Sequence, residues 1–306
     1  MIDYLYVSTI LTTNSLFSLI LNLVTLLGNS AFYVIIISII YWFSDRKFGK
    51  FLFITLGFSA LFVSITKIIF LDSRPYWFDN NILLSTSSSS FGLPSGHALI
   101  SLVILSLLFL NTRKLYFKLI CLLLIPAIGL SRIYLGVHYP YQIIFGWLFG
   151  FIILYLIFSS RLPITNWWNK INFKYQLSLL LSFSFFIIIF CIMLVNYYET
   201  LLISNSAETV YNVKTLNILS VNTIFFPLGF LSGIIINEIL YKYSKISDFS
   251  YTKIHILIKF IVGFSILYLL YYINSYFEIE ISFIIGILIG LWLLLFCPIL
   301  FKKSIR

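Results

Sequence analysis

The sequence predicts an all-α fold, a polytopic bundle of about nine transmembrane helices. Hydrophobic residues make up 61% of the 306 residues and charged residues only 10%, whereas soluble domains carry about 25% charged residues. The mean hydropathy is +1.04. The apolar runs are long enough to cross a bilayer as helices, which argues against the short alternating strands of a barrel.

The predicted spans follow one another along the chain, separated by short polar or basic segments. Their bounds are 26–43, 51–71, 95–110, 118–133, 140–160, 176–195, 216–240, 255–273 and 281–300. Residues 1–25 mix Thr, Ser and Asn with apolar residues, so we expect an interfacial helix there that lies on the membrane surface. A tenth span at this position stays open.

Local signals mark the ends of several spans. Pro75 disfavours helix at the residue before it, so the second span ends near residue 74. Ser95 is a favourable N-cap for the third span. Gly136 and Pro140 break the helix between the fourth and fifth spans.

The basic loops predict the orientation of the bundle. All but four of the 20 Lys and Arg lie in 44–50, 111–118, 161–174, 241–259 and the tail. These segments alternate with segments that hold most of the acidic residues, so the positive-inside rule places the basic side in the cytoplasm. We therefore expect an integral protein of a bacterial inner (plasma) membrane.

The net charge of +10 does not indicate nucleic-acid binding. The cations are spread over the loops and form no basic stripe. The three cysteines lie in apolar runs with no pairing or metal-ligand spacing. We expect no metal, no cofactor, no nucleic acid and no obligate protein partner.

The first polar segment, Lys67 to Pro75, places two cations at the outer end of the second span. Lys67 and Arg74 are seven residues apart, so both would project from one helix face, with Arg74 at the mouth and Lys67 deeper. Ionisable groups at membrane depth are costly and are functional candidates. Arg and Lys suit phosphate oxygens, although snorkelling to the interface would also explain them.

The second segment, Pro94 to His97, precedes the third span. Ser95 and Gly96 open the helix, and the free N–H groups at such an end form an anion site. His97 stands beside it and can transfer a proton near neutral pH. An ordinary capped helix start is the alternative.

The third segment, Ser131 to His138, lies at the outer end of the fourth span. Arg132 would add a third cation to the pocket. His138 follows Gly136, so its imidazole would stand at the mouth. A neutral imidazole can attack phosphorus and form a phosphohistidine.

The three segments together resemble the type 2 phosphatidic acid phosphatase (PAP2) superfamily. Its pattern is Lys-x6-Arg-Pro, then Pro-Ser-Gly-His, then Ser-Arg-x5-His-x3-Asp. The matching residues, in order and spacing, are Lys67, Arg74, Pro75, Pro94, Ser95, Gly96, His97, Ser131, Arg132 and His138. The resemblance covers about residues 26–160 and implies a catalytic core of five spans there. The helices of 161–306 lie outside it and their role is open.

The resemblance implies a role for each matched side chain. Lys67, Arg74 and Arg132 would hold phosphate oxygens, and Ser95 and Gly96 would complete the cradle. His97 would protonate the leaving oxygen. His138 would attack phosphorus, and water would later release phosphate from it without a metal.

Residue 142 departs from the family pattern. The family usually has Asp four residues after the nucleophilic His, and this chain has Gln142. The Gln142 amide oxygen can accept the His138 Nδ1–H and fix the tautomer, but it supplies no charge. Glucose-6-phosphatase-like members look similar in having Gln here. An N-terminal capping role after Pro140 is the alternative.

The sequence thus predicts an integral membrane phosphatase that acts on a phosphorylated lipid at the external leaflet. Polyprenyl pyrophosphate, phosphatidic acid, phosphatidylglycerol phosphate and lipid A phosphates are all candidates. A lipid phosphotransferase, a phosphatase of soluble sugar phosphates and a non-catalytic lipid transporter stay open. The Ser-rich segment 80–93 is either a lid or a spacer.

Overall fold

A computed structural model describes residues 15–78, 90–204, 213–243, 253–276 and 279–300, and these residues form helices joined by short connections. The helices are α1 (Ser15–Leu26), α2 (Ser30–Phe43), α3 (Arg46–Phe70), α4 (Gly96–Asn111), α5 (Leu115–Tyr134), α6 (Pro140–Lys170), α7 (Phe173–Ser204), α8 (Val213–Tyr243), α9 (Lys253–Tyr276), α10 (Ile279–Leu291) and α11 (Cys297–Leu300). A 3₁₀ turn spans Pro75–Trp77, and a π-helical turn spans Trp292–Phe296. The predicted all-helical class is confirmed for the described residues.

Five helical segments of the described residues are long and apolar enough to cross a membrane. They are Arg46–Phe70, Leu115–Tyr134, Pro140–Arg161, Phe173–Leu194 and Ile281–Leu300. The pair Leu19–Leu26 and Ser30–Phe43, bent by 54°, makes a sixth if it is one span. Gly96–Asn111, Ile224–Leu240 and Phe260–Asn274 are shorter apolar helices. The number of nine spans stays a prediction.

Two helix starts differ from the predicted bounds, and side-chain caps explain both. The span predicted from residue 26 begins at Ser30 instead, where the Asn29 side chain accepts from the Ala31 amide at 3.0 Å. The span predicted from residue 51 begins at Arg46, where Asp45 accepts from the Phe48 amide at 2.9 Å. A side-chain oxygen that accepts an otherwise unpaired N–H fixes where a helix begins. Residues 1–14 of the predicted interfacial helix lie outside the described residues.

The chain divides into two compact units. One comprises residues 1–34 and 62–161, and the other comprises 35–61 and 162–306. The predicted domain bounds at residues 25 and 160 stay a prediction. All three polar segments belong to the first unit.

Helix α4 is the central element of the first unit. Ten of its residues are buried, from Ala98 to Leu108. Helix α6 lies close against its start, because a Cβ on Gly146 would come within 2.8 Å of the Ser95 carbonyl oxygen. The Ser95 amide also donates to the Gln142 carbonyl oxygen at 3.0 Å. This contact brings the second and third polar segments together.

In the second unit, helices α8 and α10 are in close contact. Gly229 and Gly233 of α8 face the carbonyl groups of Phe283 and Ile287, where a side chain would not fit. The π-helical turn that follows α10 is held by ring donors, since the Trp42 Nε1–H donates to the Leu293 carbonyl at 2.8 Å. The two glycines between α8 and α10 are typical of membrane helices, where small residues allow close approach.

Candidate active site

Lys67 and Arg74 reach the site by a route that differs from the sequence prediction. Helix α3 ends at Phe70 rather than near residue 74, because Leu71 adopts a left-handed backbone with φ of 47°. Arg74 is therefore extended, with φ −101° and ψ 154°, in front of the Pro75 turn. The prediction that Lys67 and Arg74 project from one helix face is wrong, because Arg74 lies beyond the end of α3. The two side chains nevertheless approach the same group.

Both cations converge on the Ser90 hydroxyl group. The Lys67 ammonium donates to Ser90 Oγ at 2.8 Å, and Arg74 Nη2 donates to the same oxygen at 3.1 Å. The Arg74 Nε–H donates to the Ser90 carbonyl oxygen, and Nη2 donates to the Phe91 carbonyl at 3.1 Å. Protein groups thus occupy positions around the two cations where phosphate oxygens are predicted to bind.

A sharp turn after α5 positions His138. The helix ends at Tyr134, Gly136 takes a φ of 72°, and the Val137 amide donates to the Arg132 carbonyl at 3.2 Å. A left-handed glycine after the last helical residue is a common helix terminator. His138 is only 1% exposed, so its imidazole lies inside the unit.

Both ring nitrogens of His138 have hydrogen-bond partners. Nδ1 lies 2.9 Å from Gln142 Oε1, and Nε2 lies 3.1 Å from Arg74 Nη1. Arg74 Nη1 also donates to the Val137 carbonyl at 3.0 Å. Because a guanidinium only donates, Nε2 accepts and the proton resides on Nδ1. In this tautomer Nε2 has a free lone pair for attack on phosphorus, but that lone pair accepts the hydrogen bond from Arg74 Nη1.

Gln142 is held by four hydrogen bonds that fix its orientation. Oε1 accepts from His138 and from the Tyr139 amide at 3.1 Å. Nε2 donates to Asp72 Oδ2 at 2.7 Å and to the Ser73 carbonyl at 2.7 Å. The carboxylate and carbonyl only accept, so the amide cannot be turned round. The two alternatives for Gln142, orienting His138 and capping α6, are both present in this geometry.

Arg132 is buried beside α1. Its Nη1 donates to Thr25 Oγ1 at 2.7 Å, while its Nε is buried without a hydrogen-bond partner. Ser95 occupies the N-cap position of α4, but its side chain makes no cap hydrogen bond. The predicted N-cap position of Ser95 is confirmed, but its Oγ is buried without a hydrogen-bond partner. Two polar groups of the predicted cradle thus keep unused hydrogen-bonding capacity.

Gly96 and His97 open α4 as predicted. The first amide groups of a helix lack intrahelical partners, so this end offers donors to an anion. His97 is half-buried, and a Cβ on Gly28 would come within 2.9 Å of its Cδ2 atom. The loop between α1 and α2 therefore lies against the His97 ring.

Electrostatics favour neutral His138. Burial lowers its pKa well below the usual value, and the positive charges of Arg74, Arg132 and Lys67 lower it further. The hydrogen bond to Gln142 raises it and only partly opposes this effect. Burial also lowers the pKa of Arg74 to about 10, so its guanidinium keeps its charge at neutral pH.

Sequence reasoning missed four residues that contact the predicted site residues: Thr25, Asp72, Ser90 and Gly92. Their signals were weak, since each is a small or polar residue in or beside a loop or helix end. Asp72 offered the best clue, because it lies between two predicted site residues. Within the described residues, no group of three or more His, Cys, Asp or Glu could hold a metal ion.

A comparison with known protein families matches the part of the chain that carries this site. Residues 48–166 match the PAP2 superfamily. This match includes every predicted site residue. The Gln at position 142 in place of the usual Asp stays outside what the PAP2 match tests.

Two individual proteins are similar to part of this chain. An undecaprenyl-diphosphatase of Sulfolobus acidocaldarius is 32% identical over 106 residues, which are 34% of this chain and 51% of that relative. The chain thus spans about half the length of this curated relative. The crystal structure of the first transmembrane PAP2 type phosphatidylglycerolphosphate phosphatase, from Bacillus subtilis, is similar with a TM-score of 0.44 and 21% identity, covering 53% of this chain and 86% of that one.

Proposed function

We propose that this protein hydrolyses the phosphate or diphosphate group of a membrane lipid. The observation that carries the proposal is the setting of His138, whose Nδ1–H is held by Gln142 and whose Nε2 faces the Arg74 guanidinium. A neutral, oriented imidazole among cations is the arrangement that a phosphorus nucleophile needs. The match of residues 48–166 to the PAP2 superfamily supports the same reaction.

The proposed reaction has two displacements at phosphorus. His138 Nε2 attacks and the N–P bond forms, while the bond from phosphorus to the leaving oxygen breaks. His97, which starts this step as the imidazolium, gives a proton to that oxygen and becomes neutral. Water then attacks the phosphohistidine, so an O–P bond forms and the N–P bond breaks. His97 takes the proton of that water and returns to its starting state.

The cations supply the charge stabilisation in this proposal. Lys67, Arg74 and Arg132 neutralise the phosphate oxygens, with help from Ser95 and the Gly96 amide. Stabilising charge as it develops is commonly the largest single catalytic effect. The reaction would then require no metal ion.

Substrate entry requires Arg74 to exchange partners. Its five N–H donors are engaged by Ser90, Phe91, Val137 and His138. Phosphate oxygens would replace the Ser90 hydroxyl and the His138 nitrogen as acceptors. This exchange would uncover the Nε2 lone pair while keeping the guanidinium satisfied.

A lipid diphosphate is the proposed substrate class. The apolar helices favour a headgroup that arrives from the bilayer, and the relative named undecaprenyl-diphosphatase favours a polyprenyl diphosphate. The alternation of basic loops favours a site at the external leaflet, facing the periplasm or exterior of a bacterial inner membrane. The proposal keeps the predicted nine-span bundle.

The test uses purified protein in detergent micelles and measures phosphate release. We expect turnover of undecaprenyl diphosphate above that of phosphatidylglycerol phosphate, phosphatidic acid and glucose 6-phosphate, and full activity with a chelator. His138→Ala should abolish turnover, whereas His255→Ala, at the third histidine of the chain, should not. Acid quenching with labelled substrate should trap label on the protein but not on His138→Ala.

Other outcomes would redirect the proposal. Phosphate release that needs an added acceptor lipid would indicate a phosphotransferase. Turnover limited to glucose 6-phosphate would indicate a soluble substrate. Unchanged turnover in His138→Ala would refute the nucleophile.

A further inference from the structure

We propose that Asp72 is a positioning residue for His138 and acts through Gln142. This inference rests on the proposed function and deepens it. Asp72 would supply, one amide further away, the negative charge that an Asp at position 142 supplies in the resembling family. Three hydrogen-bonded side chains would then act together: Asp72, Gln142 and His138.

Continuous hydrogen bonds connect the three side chains. Asp72 Oδ2 accepts from Gln142 Nε2 at 2.7 Å, and Gln142 Oε1 faces His138 Nδ1 at 2.9 Å. Asp72 Oδ2 also accepts from the Tyr141 hydroxyl at 2.8 Å. Gln142 and His138 are buried, at 0% and 1% exposure, so water does not screen the hydrogen bond between them as it would on a surface. Asp72, at the outer end of the series, is partly exposed.

The chemistry explains why a charge there matters. When Nε2 bonds to phosphorus, the imidazole becomes cationic in a pocket that already holds Lys67, Arg74 and Arg132. A neutral Gln142 can only accept the Nδ1–H. Donation from Gln142 Nε2 to the Asp72 carboxylate polarises the amide and makes Oε1 a stronger acceptor, since hydrogen bonds in a chain strengthen one another.

The Asp72 backbone has a separate contact, which sets the design of the variant. Its carbonyl oxygen accepts from the Gly92 amide at 2.7 Å. Asp72→Asn leaves the backbone unchanged, and its amide oxygen can still accept from Gln142 and Tyr141. The substitution therefore removes the charge and preserves the hydrogen-bonding geometry.

The experiment compares kcat and KM for phosphate release from undecaprenyl diphosphate. We expect Asp72→Asn to lower kcat about tenfold, the effect of one pKa unit on a protonation equilibrium, and to change KM less than about threefold. Thermal stability should stay at the wild-type value. Asp45→Asn is the matched control, since it makes the same change at the carboxylate that caps α3, and it should leave kcat unchanged.

A rescue variant separates charge from structure. Asp72→Asn combined with Gln142→Glu exchanges the carboxylate and the amide between the two positions, and it gives up the hydrogen bond from Gln142 Nε2 to the Ser73 carbonyl. His138 would then face a carboxylate directly, and we expect kcat to return to within about threefold of wild type. A merely structural role for Asp72 predicts no loss in Asp72→Asn, because the asparagine retains the hydrogen bond to Gln142, and it predicts no gain when the charge is moved to position 142.

The outcomes are distinguishable from those for the proposed function. Undiminished turnover in His138→Ala would overturn the proposed function and this inference with it. An inactive His138→Ala beside a wild-type kcat in Asp72→Asn would overturn this inference alone.

Discussion

Gly92 is the residue through which the contact geometry of the site can be tested most directly. It belongs to the segment Ser90 to Leu93, and a Cβ built on it would come within 2.6 Å of both Gln142 Cδ and Gln142 Oε1 and closer still to Nε2. Such distances are far below ordinary carbon contacts. Gly92→Ala should therefore displace the Gln142 side chain.

The expected loss follows from the hydrogen bonds that Gln142 makes. A displaced amide gives up its contacts with Asp72, Ser73, His138 and the Tyr139 amide. The contact that matters for rate is the one to His138, because this ring becomes cationic when it bonds to phosphorus. Hydrogen bonds to charged groups contribute about 1.5–3 kcal/mol, which corresponds to roughly 10- to 150-fold in kcat.

The assay is a double-mutant cycle with kcat and thermal stability as readouts. Gly92→Ala should lower kcat by that factor, and Gln142→Ala should lower it similarly. The double variant should be no worse than Gln142→Ala, because the clash disappears with the amide. The double variant also tests whether the methyl group acts through Gln142 in the case that Gly92→Ala alone fails to fold.

Two results would contradict this reasoning. A kcat within twofold of wild type in Gly92→Ala would show that the added methyl group does not disturb His138. A further tenfold loss on adding Gly92→Ala to Gln142→Ala would show that the methyl group acts elsewhere in the segment.

Three further predictions follow from individual contacts. Ser90→Ala removes the acceptor that Lys67 and Arg74 share, so inorganic phosphate should inhibit about three- to tenfold more strongly; equal or weaker inhibition would contradict this. Thr25→Val leaves Arg132 Nη1 without its acceptor and should destabilise the protein by about 1–3 kcal/mol, seen as a lower Tm; an unchanged Tm would argue against the contact. His138 has a lowered pKa, so below about pH 6.5 the unfolded state binds a proton that the folded state does not. Wild type should lose about 1.4 kcal/mol of stability per pH unit there, more than His138→Gln; equal Tm shifts between pH 7 and pH 5 would contradict the lowered pKa.

The sequence alone determined the class of the fold and the three segments that supply the site. Charged groups such as Lys67 and Arg132 are conspicuous because they interrupt runs of hydrocarbon, where their burial is costly. Gly136 and Pro140 marked the turn that carries His138, because their backbone preferences are local properties. Such features can be predicted from the sequence because they do not depend on which residues pack against them.

The tertiary structure alone decided the shell around these groups. Asp72, Ser90 and Gly92 are small or polar loop residues, and apart from the position of Asp72 between Lys67 and Arg74, the sequence does not separate them from ordinary solvent-facing positions. The left-handed backbone of Leu71 also ended α3 earlier than Pro75 predicted, and Ser95 occupies its predicted N-cap position without a capping hydrogen bond from its hydroxyl group. Which atoms lie within 3 Å of His138 depends on contacts between segments that are distant along the chain. Hydrogen bonds formed across such distances leave no local pattern in the sequence.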